Sequence, residues 1–117
     1  GMWAILTRSG AFAGAINYHA RNLGNRRLAL GWILSPRFWR QGLMTEAAGI
    51  VLHHCLSQMN THRIGAAIEA ENIASRRLAT KLGFTREGEL RDWLWVDGKP
   101  RSVLLYSLLQ PEISKAA

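Results

Sequence analysis

The clearest chemical pattern lies in the segment 36–45, directly ahead of a predicted helix. Backbone N–H groups at a helix N-terminus have no acceptor within the helix, and they carry the positive end of its dipole. Gly42 allows a ligand to approach the backbone closely, while Arg37 and Arg40 add positive charge. These features predict a phosphate-binding loop, although an ordinary strand-to-helix turn has the same composition. The single glycine and its spacing exclude a Walker loop and a dinucleotide fingerprint.

A second polar pair, Asn72 and Ser75, opens another predicted helix. Asn is a good N-cap, and a polar residue three positions later is typical of a capped helix start. The same two side chains could instead present polar groups to a ligand beside a sheet. The sequence leaves both interpretations open.

The residues that could bind a metal ion are poorly arranged for it. His53, His54 and Cys55 are adjacent on a predicted helix, where neighbouring side chains point about 100° apart and cannot bind one ion together. We therefore expect no metal site. Cys55 is the only cysteine, so no intrachain disulfide can form, which favours a reducing, cytoplasmic location.

The composition indicates a single folded domain with an anionic partner. The chain has 117 residues, of which 48% are hydrophobic, and a formal net charge of +7 that comes from 12 Arg and 3 Lys against 8 acidic residues. Arginine binds phosphate and carboxylate with two parallel hydrogen bonds. The partner could be nucleic acid or a phosphate-bearing small molecule, or the arginines could simply be solvated. No apolar run is long enough to span a membrane.

Hydrophobic periodicity places these residues on a definite series of elements. It predicts an α+β (mixed α/β) fold with the order β-β-β-α-β-α-β-β, in which two helices cover a mixed sheet. Gly83 and Phe84 predict the left-handed end of the second helix. The predicted strands are 3–7, 12–18, 28–34, 62–69, 90–96 and 101–109, and the predicted helices are 43–59 and 72–82.

The last two strands flank Asp97-Gly98, which is a strong signal for a β-hairpin. The segment 103–109 is apolar on both faces, so it should lie inside the sheet rather than at an edge. Trp93 and Trp95 share one face of the preceding strand, where they could form the wall of a pocket or a contact between subunits.

Several motifs together resemble the GNAT acetyltransferases, specifically the RimJ/RimL branch, which acetylates amines with acetyl-CoA. The resemblance covers about residues 3–110. It rests on Leu-Gly-Trp-Ile-Leu at 30–34, the stretch 38–47, Glu-Asn-Ile-Ala-Ser-Arg-Arg-Leu at 71–78 and Lys-Leu-Gly-Phe at 81–84. It implies a mostly antiparallel central sheet of six to seven strands with two main helices. It also implies one domain over 1–117 that lacks the family's first strand and two helices, with 111–117 as a tail.

The resemblance also implies roles for individual residues toward acetyl-CoA. The backbone of Ile33, Leu34 and Ser35 would run beside the pantetheine arm. The amides of Gln41, Gly42, Leu43, Met44 and Thr45 would bind the pyrophosphate, assisted by Arg37 or Arg40. Asn72 would hydrogen-bond the cofactor arm. Ser75 would lie near the sulfur and protonate the leaving thiolate, which makes it the expected catalytic residue.

Three departures from the family pattern affect these expectations. Ala29 stands where a glutamate is the usual base candidate, so Glu69, Glu71 or a water chain would have to serve. Arg40 replaces a common glycine, and Trp39 and Met44 stand at the two ends of the loop. The missing helices would leave an open groove and an exposed strand near Trp3, which favours a partner or a homo-oligomer.

The sequence therefore predicts an acetyl-CoA-dependent N-acetyltransferase that acts on a protein N-terminus or a small amine. One alternative is a catalytically impaired acyl-CoA-binding module, suggested by Ala29 and the shortened N-terminal side. A lesser alternative is an RNA- or ribosome-associated basic protein. We expect no membrane partner.

Overall fold

A computed structural model describes residues 1–39 and 41–112. Within them lies a six-stranded mixed sheet with two main helices, in the order predicted from the sequence. The elements are β1 (Met2–Leu6), β2 (Phe12–Asn22), β3 (Arg27–Leu34), α1 (Leu43–Gln58), β4 (Arg63–Glu69), α2 (Ile73–Lys81), β5 (Thr85–Val96) and β6 (Lys99–Leu109). A 3-10 turn over Pro36–Phe38 leads from β3 toward α1.

The sheet has the strand order β1-β2-β3-β4-β6-β5, so β1 and β5 are its two edges. All neighbouring pairs are antiparallel except β3 and β4. Asp97 and Gly98 connect β5 to β6 with φ angles of 51° and 73°, the positive values that a two-residue hairpin turn requires. β6 lies between β4 and β5, which confirms the interior position predicted from its apolar sequence.

The parallel pair is short. β3 and β4 are in register at three positions only, from Arg27 with Arg63 to Ala29 with Gly65. Beyond Ala29 the two strands separate, so the second half of β3 has a paired neighbour on the β2 side alone. The mixed sheet therefore contains a cleft that opens toward the C-terminal ends of both strands.

Both helices pack on the same face of the sheet. α1 buries one side, which includes Met44, Leu52 and Cys55, and α2 buries Ala79. They join one core cluster with Ile16, Leu28, Leu30, Ile64, Leu104 and Leu108 of the sheet. This arrangement follows from the right-handed connection between parallel strands, which sends successive crossover helices to one side. The opposite face of β3 is consequently free of helices in the described part of the chain.

The helix ends agree with the sequence prediction. α2 begins after Asn72, whose side chain caps it, and it ends before Gly83 at φ 94°. Phe84 donates its backbone N–H to the carbonyl of Ala79 at 2.9 Å and is buried. The left-handed geometry after the helix is therefore provided by the glycine, as predicted.

Two strands extend well beyond the bounds predicted from the sequence. β2 continues past Tyr18 to Asn22, and β5 begins at Thr85 rather than Leu90. Both additions are polar and mostly exposed, and each contains a register shift. Pairing with a neighbouring strand overrides the low strand preference of these residues, so hydrophobic patterning alone does not detect them.

None of the helices in the described residues has the length and apolarity needed to cross a membrane.

Candidate functional site

A cavity of about 740 Å³ lies where the second half of β3 meets α2 and the start of α1. It therefore opens at the point where β3 has separated from β4. Its lining is mostly apolar, with a few polar and cationic groups, which is typical of a ligand site. The lining residues are Trp32, Ile33, Leu34, Trp39, Met44, Thr45, Asn72, Ile73, Ala74, Ser75, Arg77, Leu78 and Lys81.

The N-terminus of α1 contributes positive polarity to this cavity. Gly42 is the N-cap with φ 73° and has no side chain that could accept from the first-turn N–H groups. Met44 and Thr45, in that first turn, line the cavity. α1 has 16 residues, so its dipole is fully developed at this end. The arrangement suits an anion such as a phosphate.

Asn72 fulfils the capping role proposed for it from the sequence. Its Oδ1 accepts a hydrogen bond from the backbone N–H of Ser75 at 3.1 Å. Its amide nitrogen donates no hydrogen bond within the described residues, and Asn72 lines the cavity. The capping oxygen and the available amide are different atoms, so capping does not prevent Asn72 from donating to a ligand.

Ser75 is held from the opposite side by the sheet. The indole Nε1 of Trp32 donates to Ser75 Oγ at 3.1 Å in a partly buried environment. Sequence reasoning assigned Trp32 no role. The two residues are 43 positions apart, so no local pattern indicates this contact.

A second unpredicted tryptophan contact ties the loop before α1 to the end of β3. The indole Nε1 of Trp39 donates to the carbonyl oxygen of Leu34 at 2.8 Å. Just over half of the Trp39 side chain is exposed. The Leu34 carbonyl is therefore already hydrogen-bonded to an indole that lines the cavity.

Two cationic residues of α2, Arg77 and Lys81, also line the cavity and were missed by the sequence analysis. Their spacing of four places them one above the other on one helix face, and this signal could have paired them. With the start of α1 they make the cavity electropositive. Its lining contains no carboxylate and no imidazole.

Of the predicted cofactor residues, six line the cavity: Ile33, Leu34, Met44, Thr45, Asn72 and Ser75. Five others are outside its lining: Ser35, Arg37, Gln41, Gly42 and Leu43. The guanidinium of Arg37 lies 5.5 Å from the centre of the Phe38 ring, and the Gln41 side chain donates to the Arg37 carbonyl at 3.3 Å. Arg40 lies outside the described residues.

The position that lacks the expected glutamate is at the end of the parallel ladder. Ala29 is in register with Gly65 on β4 and with His19 on β2. Residues in register point to the same face, so His19, Ala29 and Gly65 share the face opposite the helices. Glu69 lies on that face too, four residues beyond Gly65. His19 is thus a titratable neighbour that the sequence analysis did not associate with Ala29.

The two carboxylates suggested as bases differ in their surroundings. Glu71 accepts from Arg101 at 2.5 Å, so it is already in an ion pair. Glu69 and Glu71 both lie at a smaller cavity of about 280 Å³, whose other lining residues are Ala70, Glu89, Asp92, Pro100, Arg101 and Ser102. This smaller cavity is acidic, whereas the larger one is electropositive.

Cys55 is on the buried side of α1 and lines neither cavity. Burial raises the pKa of its thiol to about 11, so the thiolate is scarce at neutral pH. In the residues that the structure describes, no group of three or more His, Cys, Asp or Glu side chains could hold a metal ion.

Comparison with known proteins places this architecture in a family. The model of the acetyltransferase (GNAT) domain matches residues 1–85. The chain is 34% identical over 110 residues to the uncharacterized N-acetyltransferase YoaA of Bacillus subtilis (strain 168), which covers 93% of this chain and 62% of YoaA. It is 32% identical over 83 residues to the [ribosomal protein uS5]-alanine N-acetyltransferase of Escherichia coli (strain K12), which covers 71% of this chain and 43% of that enzyme.

Among solved structures, the acetyltransferase (GNAT family) from Bacillus anthracis superposes with a TM-score of 0.85 at 28% identity, covering 95% of this chain and 67% of that one. The chain spans less than two thirds of the length of the two curated relatives. The match to the family model extends from β1 to the start of β5 and includes the whole electropositive cavity. The chain therefore belongs to the GNAT acetyltransferase family, in its RimJ/RimL-like branch.

Proposed function

We propose that this protein transfers an acetyl group from acetyl-CoA to a primary amine, either a protein N-terminus or a small amine. The observation that carries the proposal is the electropositive cavity. It combines the uncapped start of α1, two cations on α2 and the Ser75 hydroxyl beside a strand that has separated from its parallel neighbour. A long substrate with phosphates at one end and a thioester at the other matches this distribution.

The phosphate end of acetyl-CoA would lie at the start of α1, where the amides of 41–45 point outward. Arg77 and Lys81 face the same cavity and would neutralise further phosphate charge. The thioester end would lie along the second half of β3, near Ile33 and Leu34. Asn72 would donate its free amide to the pantetheine arm.

The reaction is a direct acyl transfer. The neutral amine nitrogen attacks the thioester carbon, the C–N bond forms, and the C–S bond breaks with its electron pair on sulfur. One proton leaves the nitrogen for a base, and the thiolate takes one proton from the Ser75 hydroxyl, which recovers it from solvent. The products are the acetylated amine and free CoA.

The base lies outside the lining of the cavity, because that lining holds no carboxylate or imidazole. We place it on the helix-free face, at His19 or Glu69. Both lie on the face where Ala29 and Gly65, two small residues, leave room for an amine to approach the cleft. Glu71 is a poorer candidate since Arg101 already binds it.

Turnover separates this proposal from its main alternative. A purified sample would be incubated with acetyl-CoA and a panel containing an N-terminal alanine peptide, a polyamine and an N-acetylated control peptide, with free CoA as the readout. An enzyme releases CoA with at least one free amine and not with the blocked peptide. Binding of acetyl-CoA by calorimetry without any release would instead identify an acyl-CoA-binding module.

The binding-module alternative is favoured by one observation, namely the cavity lining without a base. The lesser alternative, a protein that binds RNA through its net charge of +7, predicts an affinity that falls steeply with salt. No RNA binding at low ionic strength would eliminate it.

A further inference from the structure

Trp32 and Ser75 form a hydrogen bond whose direction is fixed by chemistry. The indole N–H is a donor only, so at 3.1 Å the Ser75 hydroxyl oxygen must be the acceptor. A serine hydroxyl has one proton of its own to donate. Because the indole N–H occupies one side of the oxygen, the hydroxyl's own proton points away from Trp32.

Two hydroxyls that lie deeper in the helices donate to backbone carbonyls. Ser57 donates to the carbonyl of His53 at 2.6 Å, and Thr80 donates to the carbonyl of Arg76 at 3.0 Å, four residues back in each case. This is the usual fate of Ser and Thr within a helix. Ser75 lies in the first turn of α2, where the residue four back precedes the helix, and its hydroxyl donates no hydrogen bond within the described residues. Its proton is therefore available to the cavity that Ser75 lines.

Both partners of this bond are held firmly. The Trp32 ring packs edge-to-face on buried Phe84, with ring centres 6.4 Å apart and planes at 76°. Trp32 is also in register with Ile16, which is fully buried. On the other side, Asn72 fixes the backbone of Ser75 at the start of α2. The hydroxyl oxygen is thus held between two rigid elements.

We infer that Trp32 is a positioning residue, which holds the Ser75 hydroxyl as a hydrogen-bond donor toward the sulfur of CoA. The inference rests on the proposed function and adds to it a residue that acts through Ser75. A Phe at position 32 would still pack on Phe84 but would lack the N–H that holds the Ser75 oxygen.

The test uses CoA itself, so it needs no turnover. The thiol of bound CoA is titrated by the ultraviolet absorbance of its thiolate, against the same protein without CoA. A hydroxyl that donates to the thiolate lowers the pKa of the bound thiol, and one unit corresponds to roughly a tenfold rise in the thiolate fraction. The protein's own Cys55 interferes little, because its thiol pKa is about 11.

We expect the bound thiol to titrate about one unit below free CoA in the unaltered protein. In Trp32→Phe and in Ser75→Ala the pKa of the bound thiol should return to that of free CoA. The double variant should have the same thiol pKa as the two single variants. Trp95→Phe, which alters an exposed tryptophan outside the cavity, should behave as the unaltered protein. The affinity for CoA, measured by calorimetry, should change by less than about threefold in all variants.

A replacement of the Trp32 indole by benzothiophene exchanges the N–H for sulfur and keeps the ring shape, so it provides the same test if the phenylalanine variant does not fold. The inference would be wrong if the lowered pKa of the bound thiol persisted in either Trp32 variant but was lost in Ser75→Ala. A bound thiol that titrates like free CoA in the unaltered protein would overturn it while leaving the CoA site intact. Absence of CoA binding would refute the proposed function itself.

Discussion

His19 lies directly across from Ala29 on the neighbouring strand, and the two side chains share the face of the sheet that has no helix. If His19 accepts the amine proton, His19→Gln should lower kcat about 100-fold, a typical contribution of a general base, with little change in the KM for acetyl-CoA. Adding Ala29→Glu to the His19→Gln variant should restore much of the rate, because it puts a carboxylate on the same face. Steady-state release of CoA measures both.

Glu69→Gln is the matched comparison for His19. It removes the charge of Glu69, the other candidate base on this face, and keeps the size of the side chain. A loss of kcat in Glu69→Gln with none in His19→Gln would assign the base to β4 instead. Unchanged rates in both variants would leave water as the proton acceptor and refute either assignment.

Arg77 and Lys81 should contribute to acetyl-CoA binding through charge. The double variant Arg77→Ala, Lys81→Ala should weaken the affinity about tenfold at low salt, and the difference should shrink as ionic strength rises. Arg91→Ala with Lys99→Ala removes the same two residue types from exposed positions on β5 and β6, outside the cavity lining, and should have little effect. Calorimetry at two salt concentrations would measure the affinity for acetyl-CoA in each variant. An equal loss of affinity in the two double variants would show that only net charge matters.

Gly14 and Gly49 should respond oppositely to alanine. A Cβ at Gly14 would overlap the backbone oxygen of Ile33, which cannot move without disrupting β3. Gly14→Ala should therefore destabilise the fold by about 3 kcal/mol or more. Gly49 is within α1 and has open space around its Cβ position, so Gly49→Ala should stabilise it by about 1 kcal/mol. Urea unfolding distinguishes the two, and a stable Gly14→Ala variant would contradict the close strand contact.

Cys55 should make stability fall at alkaline pH. Burial raises the pKa of its thiol from 9.0 to about 11, so the folded state holds the proton more tightly than the unfolded chain does. The stabilisation is complete below pH 9.0 and is lost as the pH rises through about 11. This contribution is isolated by measuring the free energy of unfolding in urea against pH, for the unaltered protein and for Cys55→Ala. Identical slopes in the two proteins would show that the thiol does not titrate differently on unfolding.

The sequence predicted the elements that carry strong local signals. Asn72 and Gly83 bound α2, and Asp97-Gly98 forms the hairpin, because capping and positive φ values depend on residues that are near each other in the chain. The polar start of β5 was missed, since pairing with β6 creates that strand and no apolar alternation marks it. The bulges in β2 and β5 are also products of pairing.

The candidate site was predicted only in part for a similar reason. Met44, Thr45, Asn72 and Ser75 belong to two local motifs, and both motifs reach the cavity. The Trp32–Ser75 bond and the His19–Ala29 pairing instead join residues on different elements. Their existence depends on how β3 packs against α2 and β2, which a single sequence does not specify without a fold.

The strand order β1-β2-β3-β4-β6-β5 puts the cavity-forming strand in the interior of the sheet and both edges away from it. Trp93 and Trp95 are exposed on β5, one of those edges. A second copy or another protein could thus add a strand there without touching the cleft beside β3. Substitutions at this edge would therefore alter a contact with such a partner and leave the lining of the cavity intact.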